Sequence, residues 1–77
     1  MEKVFLHRYK AVTYEIFFAE EDGMLRYGIC AEWRGEVEAV SDITTRKEDA
    51  EALLELLRRC GVPPIALRDV VEDWLER

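Results

Sequence analysis

The spacing of apolar residues changes once along this chain, and that change restricts the fold more than any other feature. Up to about Ile43 the apolar positions alternate, the period of a strand, and from Thr45 to Arg77 they recur every three or four residues, the period of a helix. Strands first and helices afterwards, without the strand-helix alternation that a parallel sheet needs, predict an α+β domain. The expected form is a three- or four-stranded antiparallel meander, strands over about residues 3–43, followed by helices over about 46–60 and 64–76 packed on one face.

The strongest strand signal is Asp22-Gly23, which suits a type I′ turn because both central residues need positive φ. A two-residue loop there pairs Phe18 with Tyr27, Ile16 with Ile29, Tyr14 with Ala31 and Val12 with Trp33. All eight then lie on one face of the sheet, the expected core face. Phe17 falls on the opposite face beside Ala19, Gly28 and Cys30, as an aromatic on the wetter side. Arg34-Gly35 turns the chain again into Val37–Ile43, where Val37 and Ala39 favour one register and Val40 the next, so a bulge near Glu38 or Ala39 is expected. Lys3–Tyr9 also alternates and reads either as a separate strand or as the start of one long bent strand.

The first helix is expected to open on a capping box, Thr45 at the N-cap and Glu48 three residues on. Ala50, Leu53, Leu54 and Leu57 form its apolar stripe, widened by Leu56 and Cys60. Arg58 and Arg59 suit the negative end of its dipole, and Gly61 suits the left-handed position that ends it. Pro64 suits the first position of the second helix, whose apolar face is Leu67, Val70, Val71 and Trp74.

Several of these segments resemble a small family of uncharacterised bacterial proteins. The resemblance rests on Tyr27-Gly28-Ile29, Asp42-Ile43-Thr44, Val62-Pro63-Pro64 and the run Asp69-Val70-Val71-Glu72-Asp73-Trp74-Leu75. It implies a domain of unknown function and supplies no activity, cofactor or catalytic residue.

The residues themselves argue against most chemistry. With 11 basic and 17 acidic residues the net charge is -6, which repels phosphate backbones and anionic membrane surfaces, so neither nucleic acid nor membrane is an expected partner. The first residues turn polar before an apolar leader develops, which points to a cytoplasmic protein. Cys30 and Cys60 belong to no metal-ligand spacing and are expected as buried reduced thiols. His7, the single histidine, has no nucleophile or carboxylate placed beside it by pattern, and Ser41, Thr44 and Thr45 read as turn and cap residues. No catalytic constellation, cofactor or metal set emerges, and the chain is not expected to be an enzyme.

Two functional readings remain. The first is a protein-interaction module that associates with itself or another protein through Phe17, Trp33, Asp69, Asp73 and Trp74, since a domain of 77 residues buries little surface and often completes its core in a complex. The alternative is a regulator that binds a small molecule or metal ion through Asp69, Glu72 and Asp73 of the acidic second helix. Hard cations take several oxygen ligands, and no Asp- or Asn-rich loop completes that shell.

Overall fold

A computed structural model of the protein describes residues 11–76. Strands β1 (Thr13–Glu21), β2 (Met24–Trp33) and β3 (Glu36–Thr44) form an antiparallel meander in the order β1-β2-β3, and helices α1 (Lys47–Cys60) and α2 (Pro64–Leu75) follow. The α+β class and the meander with two C-terminal helices are as the sequence predicts. The segment Lys3–Tyr9 and His7 lie outside the described residues. Within them, Ala11 has φ 66° and strand structure starts only at Thr13.

Both tight turns adopt the mirror-image geometry that matches strand twist. Asp22 and Gly23 have φ 54° and 76°, and Arg34 and Gly35 have φ 50° and 86°. The first turn sets the expected register, with Tyr14 opposite Ala31, Ile16 opposite Ile29 and Phe18 opposite Tyr27. Val12 stands outside the ladder, half-buried against the core.

The irregularity in β3 lies further along than the sequence suggests. Trp33 to Ile29 pair regularly with Glu36 to Val40, so Glu38 and Ala39 are ordinary ladder residues. Between the Ile29–Val40 and Tyr27–Thr44 pairs, β2 advances two residues and β3 four, leaving Ser41, Asp42 and Ile43 opposite Gly28. Asp42 takes the bend at φ 56°, and Arg26 Nη1 donates to its Oδ1 at 2.7 Å. Strict alternation would put Val40 and Ile43 on opposite faces. The extra residues let both be buried, at 9% and 7% exposure.

Gly28 is what permits this crossing. A methyl group there would stand 2.5 Å from the Val40 carbonyl oxygen, 2.6 Å from Phe17 Cζ and 2.8 Å from Ser41 Cα. The missing side chain lets the β3 backbone close in and lets Phe17 lie across the gap.

The helices cover one face only. Leu53, Leu57, Leu67 and Val71 are fully buried against Tyr14, Ile29, Ala31, Val40 and Ile43, with Val62 from the turn between the helices. This is the amphipathic-face burial that their spacing predicts. α2 lies mainly over β3, and α1 mainly over β1. Arg68 of α2 reaches Glu38 of β3 at 3.3 Å.

The start of α1 differs from the expected capping box. Arg46 is the N-cap, with extended φ and ψ and no side-chain cap, so Thr45 precedes the cap and Glu48 falls at the second helical position. The cap role is divided instead. The Arg46 amide donates to Thr44 Oγ1 at 3.1 Å, and Asp49, one position past the expected Glu48, meets Thr44 Oγ1 and Arg46 Nε at 3.5 Å each. The far end follows expectation. Gly61 is left-handed at φ 64°, and its amide and that of Val62 both donate to the Leu57 carbonyl, at 2.9 and 3.3 Å.

That turn is held to the sheet by one buried bond, in which the Tyr14 hydroxyl donates to the Val62 carbonyl at 2.6 Å across 48 residues of sequence. Burial raises the Tyr14 pKa above 10.0, and the nearby Cys60 raises it further.

Three outcomes test this account. Leu57→Ala should cost about 2–5 kcal/mol in denaturant unfolding, as cavity-forming changes in a core do. Gly28→Ala should cost about 1–3 kcal/mol through overpacking, because two of the three clashes are with backbone atoms that cannot rotate away. Tyr14→Phe should cost about 1–3 kcal/mol at neutral pH by leaving a buried carbonyl unpaired. The hydroxyl's pKa is higher folded than unfolded. Its contribution is therefore fully present below about pH 10 and is lost as pH rises through the folded value, so the parent and Tyr14→Phe curves should converge in alkali.

Candidate interaction surface

The sheet outruns its helices. Strands of nine and ten residues span roughly 30 Å, whereas helices of fourteen and twelve residues span about 21 and 18 Å. The β1–β2 turn end is the part left bare. Phe18 is on the face that the register assigns to the core, yet it is 64% exposed, and its ring makes an edge-type contact with Tyr27 at 6.1 Å between centroids. The pairing expected of Phe18 and Tyr27 is thus present, but the expected burial under the helices is not. Leu25 stands beside them at 41% exposure, and Met24 at 50% continues the apolar surface round the turn.

On the opposite face Phe17 is half-buried rather than open, because it covers Gly28. With Ala19, Glu21, Arg26, Ser41 and Asp42 it lines a shallow concavity of about 270 Å³. Arg26 dominates this hollow and has no conspicuous sequence signal. Its Nε is shielded from water without a hydrogen bond, facing the Glu21 carboxylate at 3.5 Å as a charge contact. Glu21 and Asp42 share the one Arg26 guanidinium, so the hollow is weakly acidic and its charges are already engaged with one another.

The remaining residues singled out from the sequence are dispersed. Trp74 packs half-buried against the core, and Trp33 is half-buried with the Arg34 guanidinium 4.9 Å above its ring. Asp69, Glu72 and Asp73 are exposed along α2, and among the described residues no three His, Cys, Asp or Glu side chains gather as a metal site would require. Cys30 is half-buried and Cys60 exposed, so neither is the enclosed thiol expected. Cys60 is the final residue of α1, past the point where the stripe still faces the sheet.

A second apolar patch was equally hidden from sequence reasoning. Val37 at 61% exposure and Ile65 at 83% meet near Pro64, Glu36 and Glu38 around a hollow of about 220 Å³. Periodicity places Val37 on the face away from the helices, but only the position of α2 over β3 brings Ile65 beside it.

No helix among the described residues is long and apolar enough to cross a membrane. No curated protein and no solved structure matches the chain. A family of unknown function, DUF6514, has a model that matches residues 2–77, and the chain belongs to that family.

Proposed function

We propose that this protein is a small non-catalytic interaction module that associates with itself. The observation that supports this best is the uncovered end of the sheet, where Phe18, Met24 and Leu25 are 64%, 50% and 41% exposed. Large apolar side chains scattered singly on a surface need no explanation, but Phe18 and Leu25 share one sheet face next to the half-exposed ring of Tyr27, with Met24 at the same turn on the other face. Covering them would supply burial that a chain of this size cannot find within itself. The charge of -6 disfavours nucleic acid, in keeping with a protein partner.

Light scattering or sedimentation across a hundredfold range of concentration should give a mass that rises from one copy towards two. A single-copy mass throughout would overturn the reading. Millimolar magnesium or calcium should leave the melting temperature unchanged. A large metal-dependent stabilisation lost in Asp69→Asn or Asp73→Asn would instead favour a cation-binding regulator, because a ligand that binds only the native state raises its stability.

A further inference from the structure

We infer that two copies join along β1, edge to edge and antiparallel about a twofold axis at Phe17, to make one continuous six-stranded sheet. This deepens the self-association reading above and rests on it. Among the described residues β1 has a neighbour on one side only, since the strand order is β1-β2-β3. Its centre is Ile16-Phe17-Phe18, with no proline or lysine along its nine residues. Proteins usually protect a bare edge with such residues, with a bulge or with opposed charges.

The backbone is prepared for this. In a two-residue hairpin the residues flanking the turn bond to each other, so Glu21, Ala19, Phe17 and Glu15 direct their amides to β2. Glu20, Phe18, Ile16 and Tyr14 direct theirs outward. An axis at Phe17 sets Ile16 against the partner's Phe18, and Phe18 against the partner's Ile16, as hydrogen-bonded pairs. The two Phe17 residues then form a close non-hydrogen-bonded pair.

The charges select this axis. It engages all nine residues and places Glu15 opposite the partner's Ala19, Glu20 opposite the partner's Tyr14 and Glu21 opposite the partner's Thr13, so no carboxylate faces another. An axis at Phe18 would set Glu15 against the partner's Glu21. An axis at Ile16 would set Phe17 against the partner's Glu15 and leave Glu21 beyond the pairing. The edge of β3 is guarded where β1 is not. An axis at Val37 opposes Glu36 and Glu38, one at Glu38 opposes that residue to itself, and one at Ala39 opposes Glu36 and Asp42. Beyond Val40 the irregularity at Asp42 interrupts the ladder. Of the two edges, β1 alone accepts its own copy.

The test is a cross-link across the axis in the full-length chain, with Cys30→Ser and Cys60→Ser removing the native thiols. Phe17→Cys should give a disulfide-linked dimer under mild oxidation, because the two Cα atoms would lie about 4.5 Å apart, within disulfide reach. Ala19→Cys should not, since its copies would be roughly 13 Å apart along the strand. Phe18→Pro removes an outward amide that β2 does not use, and should reduce the mass to one copy with the far-ultraviolet dichroism unchanged. Phe18→Lys should do the same if proline perturbs the hairpin, and Val37→Lys on the other edge should leave the dimer intact. A dimer that survives both Phe18 variants and forms no Phe17→Cys link would leave self-association standing but overturn its assignment to β1. A monomer whose Ile16 and Phe18 amides resist hydrogen exchange would show that residues 1–10 of the same chain cover the edge, which also overturns it.

Discussion

The buried bond from Tyr14 to the Val62 carbonyl is the constraint on which the two-layer arrangement turns. It joins the first described strand to the turn between the helices, across 48 residues of sequence, at 2.6 Å. Val62 can be there because Gly61 adopts φ 64° and closes α1, and Pro64 starts α2 three residues later. With that turn fixed over β1, α1 lies towards β1 and α2 towards β3. Leu53, Leu57, Leu67 and Val71 then meet the same sheet face. The bond's own net contribution is on the order of 1 kcal/mol, small beside the apolar burial it organises.

The other determining feature is local, the place where β3 passes Gly28. Three residues stand opposite one, Asp42 bends the chain, and Arg26 holds Asp42. The exposed ion pair is worth little by itself. Its geometric effect is larger, because the crossing turns Ile43 inward and leaves the gap that Phe17 covers. Glycine, bulge and aromatic ring form one unit, and a change to any of them is felt by the others.

Much of the fold was legible because its signals are local. Asp22-Gly23 and the alternation on either side determine the β1–β2 register, and Gly61 and Pro64 mark the helix ends through backbone preferences that need no tertiary contact. The misread features depend on contacts between distant residues or between close competitors. The bulge moves to Ser41–Ile43 because Gly28, on the neighbouring strand, is the position where the β3 backbone can close in. The cap shifts because Thr44 takes the Arg46 amide and Asp49 turns to the side chains of Thr44 and Arg46, contacts that residue spacing does not signal. The bare Phe18 follows from a length mismatch between strands and helices, which periodicity cannot register. The candidate surface was legible only in part. Phe17 was placed on the correct face, but Leu25, Met24, Val37 and Ile65 became conspicuous only once the helices were in position.

The order of the elements also gives the chain a history. Two tight hairpins bring together residues close in sequence, and hairpins of this kind form within microseconds. The Tyr14–Val62 contact must close a loop of 48 residues and carries a larger entropic cost. During synthesis the meander is therefore complete while its apolar face still awaits the last 30 or so residues, at roughly 5–20 residues per second. For a second or more the nascent sheet presents Tyr14, Ile29 and Val40 to its surroundings with nothing above them. The folding hazard of this protein is concentrated in that interval, and a chaperone that holds the sheet face would act before α2 leaves the ribosome.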